Sequence, residues 1–474
     1  MFDPDIAPSG TLLGLLQRGR GDGTLHALAA PRAEALAALN DSVLRDPRRD
    51  WQLENRSLYY ARLYMQLDGG LEEIERHLFH PDDHTDTREE RTGLALSVLG
   101  HLASYGRDAA LLLLRSYAAV GGNWRWALDE LALRDEDEGL LSLAPAVLAR
   151  FPETPEGEAE LAAAVRDAFE PRPWRLWAED ARYGARVRAA GEQGSFDRWQ
   201  RQLTPSGPRP GWSVREILQW AEDGRAERPA EWRTGAAARC LAAVAGPEDR
   251  PELLAAARSG PDAARAAALR HLAERGDAEA LDLIEAAASD PLACPELVEA
   301  ATGAFCRMRS VAAVERARVW ARRPDRLGAV AAALLARRGG IQDADTVLAV
   351  LRRTVQAEGP DAAGLWELAD GVGRLGVECA APVLRHIYRE TSSSHLRGRA
   401  AAALAATDPG FAAGFAVECL WDCEETTREL AARTAATGDA RVVEQLRRLA
   451  ADPAEETEVQ TAVRGRIGPD AAEV

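Results

Sequence analysis

No lysine occurs anywhere in this chain; all 58 of its basic residues are arginine. A Schiff-base lysine and a phosphate-binding P-loop lysine are therefore excluded outright. Codon composition that favours arginine accounts for this simply. Avoidance of lysine-directed modification is a second explanation, since lysine is its usual target. Phenylalanine and tyrosine are also scarce, at 8 and 7 of 474 residues. Strands favour aromatic and β-branched residues, so an alanine-, leucine- and arginine-rich chain points away from sheets and towards helices.

No apolar run approaches the roughly 20 residues that a membrane span needs. The start, MFDPDIAPSG, lacks the basic and apolar regions of a secretory signal. Six cysteines, Cys240, Cys294, Cys306, Cys379, Cys419 and Cys423, all lie in the second half, without a CxxC or a Cys/His zinc spacing. A reduced, cytoplasmic protein is the reading. The formal net charge of −17 disfavours phosphate backbones and anionic lipid. There is no GxSxG elbow and no metalloprotease pattern. Gly371-Val372-Gly373-Arg374-Leu375-Gly376 fits GxGxxG literally. The preceding GLWELAD reads as helix rather than strand, so the match is discounted.

What is present is a repeat. Around Gly276 the chain reads LRHLAERGDAEALDLIEAAASDP, and around Gly438 it reads LAARTAATGDARVVEQLRRLAADP. Gly276 aligns with Gly438, Asp277 with Asp439, Ile284 with Leu446, and Asp290-Pro291 with Asp452-Pro453. Each copy reads as helix, Gly-Asp turn, helix. Residues 94–120 carry the unit again: Gly106 takes the place of Gly276, and Leu114 that of Ile284. Ala95, Val98, Leu99 and Leu102 form one helical stripe, and Ala110, Leu113, Leu114 and Tyr117 the next. Such units bury their apolar faces only by stacking. The expected fold is all-α, a right-handed α-α superhelix of stacked helical hairpins.

Five segments are expected. Residues 1–24 are a flexible N-terminal segment, 25–190 an N-terminal run of repeats, and 191–212 a Gly/Pro/Ser/Gln-rich connector that Phe196, Trp199 and Trp212 can anchor. Residues 213–468 are a C-terminal run of repeats, and 469–474 a disordered tail.

The two LxxLxxxGDxxAxxxL-like units resemble the HEAT/armadillo superfamily, in particular the short bacterial HEAT-like repeats of the phycobilin-lyase type. Weaker matches run through 94–120, 327–354 and 399–422. The resemblance covers about four fifths of the chain and implies a fold more than a function.

Four constellations carry chemistry. Eight of the twelve tryptophans lie between Trp124 and Trp232, and they sit among arginines. Trp124, Arg125, Trp126, Asp129, Trp174 and Trp177 are candidate partner-binding residues, because exposed Trp and Arg make interface hot spots. The two indoles at 124 and 126 point to different helix faces. Trp51, Arg56 and Tyr60, in the aromatic stretch 50–67, extend the candidate surface; a capping helix is the competing reading. His77, His80 and His84 in RHLFHPDDHTD are weak metal candidates, and an exposed loop is the plainer reading. Between Arg307 and Arg399, sixteen arginines face ten acidic residues, with pairs at Arg322-Arg323, Arg337-Arg338 and Arg352-Arg353. Along a groove these would bind an anion or an acidic peptide; the plainer reading is that their stems cover apolar helix surface and their guanidinium groups pair with neighbouring carboxylates.

The expectation is a non-enzymatic scaffold or adaptor, without cofactor, binding a protein or peptide partner on its concave face through Trp and Arg anchors. Membership of a larger complex is a variant of the same reading. The alternative is a HEAT-fold enzyme or nucleic-acid-binding protein of the DNA-glycosylase type, with Trp124, Trp126 and Asp129 around a base. Acidity and the absence of lysine speak against nucleic acid. An iron enzyme of the deoxyhypusine-hydroxylase type would need His-Glu dipeptides, and none occurs.

Overall fold

The computed structural model describes residues 6–48, 51–203, 211–223 and 230–467. The tail 469–474, residues 1–5, residues 204–210 of the expected connector and the side chains of Phe196, Trp199 and Trp232 lie outside the described residues. Among the described residues every regular element is helical: 28 α-helices joined by short turns and single 3-10 turns. Thr11, Thr154, Ser310, Asp325, Ser393 and Asp439 each start a helix by accepting a backbone N–H of its first turn.

The hairpin elbow recurs with one geometry. Gly106 lies between helices Glu89–Ser104 and Asp108–Val120, and Gly276 between Asp262–Glu274 and Glu279–Ser289. Both are left-handed, at φ +80° and +74°. The next residue then bonds back to the last helical turn, Arg107 N–H to Leu102 O and Asp277 N–H to Leu272 O, each at 3.0 Å. This is a Schellman closure, which satisfies carbonyls that the helix end leaves free. The aligned Gly438 is different. It does not enter the left-handed region; Ala436 N–H instead bonds Ala412 O at 2.8 Å. The apolar registers still agree, since Leu114, Ile284 and Leu446 are all fully buried.

Two compact units form, one from residues 1–203 with 388–474 and the other from residues 204–387. In the second, helices Ala230–Val244, Asp262–Glu274, Pro295–Arg307, Arg326–Arg338 and Leu365–Arg374 pack in sequence order as one row. Helices Arg250–Ser259, Glu279–Ser289, Val311–Trp320 and Ala344–Glu358 each pair with a member of that row. Small side chains let the row close up. A Cβ on Gly371 would strike Ala336 of the neighbouring helix.

The first unit is discontinuous, and charge holds its two stretches together. The fully buried Arg397 forms a bidentate pair with the fully buried Asp422, at 2.7 and 2.9 Å. Its guanidinium also reaches Gly19 O at 3.3 Å, and Cys423 N–H donates to the same oxygen at 2.9 Å. Arg56 donates to Gln17 O and to Ser392 O, the latter at 2.8 Å, and pairs with Glu54. Glu54 in turn accepts from Ser393 Oγ and from Ser394 N–H, the latter at 2.6 Å. Arg62 pairs with Asp452 and Glu455, and Arg428 with Glu455.

These contacts correct one expectation. Residues 6–24 are not a loose end: helix Leu12–Gln17 is seated, with Leu15 and Leu16 buried. Arg18 and Arg20 clasp the carbonyls of Glu390 and Arg389. Glycine and proline content cannot reveal partners some 370 residues away. Part of the expected connector is also regular, because helix Gly184–Leu203 runs through residues 191–203.

Two predictions follow from this architecture. Gly276→Ala costs about 1 kcal/mol, because the left-handed elbow is strained for alanine while its Cβ meets open space; urea denaturation followed by circular dichroism measures it. Asp422→Ala leaves a buried guanidinium unpaired and costs roughly 3–5 kcal/mol. A loss under about 1 kcal/mol in the same assay would show that the pair does not hold the junction.

Candidate functional site

Trp51, Trp124, Trp174 and Trp177 belong to the core of the first unit. Trp174 and Trp177 share one face of helix Arg172–Glu179 and stack edge to face, with ring centroids 4.9 Å apart. Trp177 is fully buried and donates Nε1–H to Leu140 O at 2.8 Å. Trp124 packs against Phe151 and Trp174, with the guanidinium groups of Arg125 and Arg150 each 5.4 Å from its ring. Trp51 tucks against Gly93, where a Cβ would come within 2.8 Å of the indole, and meets Trp126 at 5.3 Å. Arg56 and Tyr60 are buried as well, and the Tyr60 hydroxyl bonds Leu16 O at 3.1 Å.

Six of the nine partner-binding candidates, Trp51, Arg56, Tyr60, Trp124, Trp174 and Trp177, are thus closed to a partner. Helical spacing assigns side chains to a face but does not say which face later elements cover. Arg125 is exposed, and Trp126 and Asp129 are half-buried. Trp126 donates to Ser97 Oγ at 3.0 Å, and Ser97 donates to Glu130 at 2.7 Å. Asp129 accepts from Glu170 N–H at 3.1 Å; burial, with Glu170 and Glu130 nearby, pushes its carboxyl up to about 6. Trp124, Trp126 and Asp129 therefore face three different neighbours.

The histidine loop is built around Asp83. Its buried carboxylate accepts from Arg91, the Tyr117 hydroxyl and Gly122 N–H, each at 2.6 Å. The His77 ring bonds Arg91 O at 2.9 Å, His80 caps Asp82 N–H, and His84 is exposed. No group of residues that could hold a metal ion exists among the described residues.

The arginine pairs of the second unit divide between its rows. Arg322-Arg323 follow helix Val311–Trp320, and Arg352-Arg353 lie on helix Ala344–Glu358, both among the helices that pair with the row. Arg323 is already engaged with Glu285 and Asp325, at 2.9 and 2.7 Å. Arg352 donates to Cys379 O at 2.7 Å. Arg337-Arg338 instead end helix Arg326–Arg338 of the continuous row. They reach back to the end of helix Pro295–Arg307, Arg337 to Cys306 O at 3.4 Å and Arg338 to Met308 O. Arg307 and Arg309 flank those carbonyls, and all four arginines are exposed.

Electrostatics sets this group apart. Burial, then repulsion from Arg337 and Arg309, holds the Arg338 pKa below its ordinary value. Arg323 and Arg318 are shifted the other way, chiefly by their hydrogen bonds to Asp325 and Asp343. Glu367 is the acidic side chain whose field reaches Arg337. It is itself half-buried, and its pKa is raised by that burial and by Asp370. Arg307 and Arg309 escape a search for adjacent arginine pairs. The repeat register finds them, because they close one helix of the row as Arg337-Arg338 close the next.

No protein-family model matches the chain, and no curated protein matches it in sequence. Among the described residues no helix is long and apolar enough to cross a membrane.

Trp177→Ala should cost about 3–5 kcal/mol, as for other fully buried aromatics. Trp366→Ala, at an indole that is 48% exposed, should stay within about 0.5 kcal/mol. Chemical denaturation of both variants checks the contrast between a core tryptophan and a surface one.

Proposed function

We propose that this chain is a non-enzymatic HEAT-like scaffold, a right-handed superhelix of hairpins. It binds an acidic segment of a protein partner through the arginine edge of its second unit. The observation that carries the proposal is the convergence of Arg307, Arg309, Arg337 and Arg338 at one end of the continuous row, with Arg338 repelled by its neighbours. Like charges held together on a rigid helical frame are a preorganised receptor for carboxylates, which guanidinium groups meet with two parallel hydrogen bonds. Glu367 beside Arg337 and the net charge of −17 oppose a continuous phosphate backbone. Spaced carboxylates on a peptide can avoid Glu367. A cytoplasmic setting belongs to the same proposal and is supported by six unpaired thiols.

The test is fluorescence anisotropy with a labelled Asp/Glu-rich peptide, titrated against the full chain at low and at physiological salt. Arg309→Gln combined with Arg338→Gln should weaken binding roughly tenfold, or ~1.4 kcal/mol. Added salt should weaken the unaltered protein in the same direction. Arg323→Gln removes a guanidinium that is already paired and should leave affinity unchanged. Equal binding by the double variant, or tighter binding of duplex DNA than of the peptide, would overturn the proposal.

A further inference from the structure

The junction of the first unit contains a place where two carboxylates share one guanidinium. Arg20, at the start of helix Gly21–Ala29, lies under two carboxylates. The same guanidinium nitrogen is 2.7 Å from Asp22 Oδ2 and 3.7 Å from Glu418 Oε1. Its other terminal nitrogen donates to Arg389 O at 2.9 Å. One oxygen of each carboxylate, Asp22 Oδ1 and Glu418 Oε1, is shut off from solvent without a hydrogen bond, as is the Nε–H of Arg20. The two backbones are closely packed here. Gly21 sits so close to Glu418 O that any Cβ would collide with it. The rings of Tyr388 and Phe415 close the site at 4.8 Å from each other, with Arg20 over the first and Arg389 over the second.

We propose that Glu418 carries a proton while this junction is closed, and that losing the proton loosens helices Leu12–Gln17 and Gly21–Ala29 from segment 388–423. A neutral carboxyl removes one of two negative charges competing for one cation. The groups facing Glu418 fit this. Asp22 and Arg20 come from the N-terminal helix, and Tyr388 and Arg389 from helix Ala381–Glu390. Cys419 follows on its own helix and bonds the Tyr388 hydroxyl at 3.2 Å. Asp422 lies beyond, already neutralised by Arg397. Burial first, then Asp22, raises the Glu418 carboxyl to about 7, against the ordinary 4.5, while Arg20 and a hydrogen bond with the Tyr388 hydroxyl act the other way without cancelling it.

The sign follows from linkage. A carboxyl whose pKa is higher in the closed state takes up a proton on closing. Its stabilisation is full below pH ~4.5, declines as pH rises, and is gone above about 7. Hydrogen exchange of residues 11–29, corrected for the intrinsic pH dependence of exchange, reads the latch directly. In the full-length protein, protection should fall at least about tenfold between pH 5 and pH 8. Glu418→Gln, a permanent mimic of the protonated form, should keep the pH 5 level throughout. Asp22→Asn supplies a donor from the other side and should restore protection at pH 8 without touching Glu418. Flat protection in the unaltered chain, or an undiminished slope in both variants, would overturn the proposal.

Discussion

Stacked helices end in carbonyls that the next hairpin hides from water, and each needs a donor. Arginine provides it throughout this protein. Arg374 reaches back to the carbonyls of Leu335, Ala336 and Gly339. Arg172 reaches those of Ala132 and Asp135, Arg186 those of Leu148 and Phe151, and Arg107 that of Gly69. In each case the donor stands some 35 to 40 residues after the helix end it closes. The guanidinium is a positive group at the negative end of a helix, and its fixed fork serves two or three carbonyls at once. An ammonium on a flexible stem cannot do that from one position. A lysine-free chain is thus compatible with, and in part accounted for by, a fold in which basic residues are the joints between repeats.

The same role underlies the proposed peptide site. An arginine that closes a helix end, or pairs with a carboxylate as Arg318 does with Asp343, presents a compensated surface. Arg307, Arg309, Arg337 and Arg338 differ because two successive joints fall side by side, with Arg337 and Arg338 on the carbonyls of Cys306 and Met308 and Arg307 and Arg309 adjacent to them in the chain. Carbonyl dipoles do not cancel four full charges at exposed positions, so the edge retains a positive field on an otherwise acidic protein. Its geometry is nonetheless rigid, because the capping bonds fix two of the side chains before any ligand arrives.

Local features were legible in the sequence, and long-range ones were not. The Gly-Asp elbow at 276 and its counterpart at 106 announce helical hairpins, and their apolar registers locate Leu114, Ile284 and Leu446 in the core. Gly438 shows the limit of such matching, since the same dipeptide closes a different turn. The aromatic stretch 50–67 reads as a surface because its charges and phenols look excessive for packing. They are matched by residues 390–455, through Arg56 with Ser392, Glu54 with Ser394, and Arg62 with Asp452. Periodicity within a twenty-residue window carries no trace of such partners. The tryptophans mislead for a related reason: Trp124, Trp174 and Trp177 form a mutual cluster that no single helix reveals.

Buried charge is tolerated in the first unit because its buried ions stand in pairs of opposite sign. Arg397 with Asp422, and Arg428 with Glu455, are bidentate pairs, the geometry that best offsets the cost of leaving water. A junction made this way is selective, since a misplaced segment would strand an ion without its partner. Hydrophobic contact alone would accept many registers between residues 12–67 and 388–455; paired ions accept few. Asp22 with Glu418 is the exception, with two carboxylates and one guanidinium. Such a deficit is costly at every pH at which both groups are ionised, and a single proton removes it. The weakest point of the junction is therefore also its point of control, because it is where solution conditions reach a contact otherwise sealed from solvent.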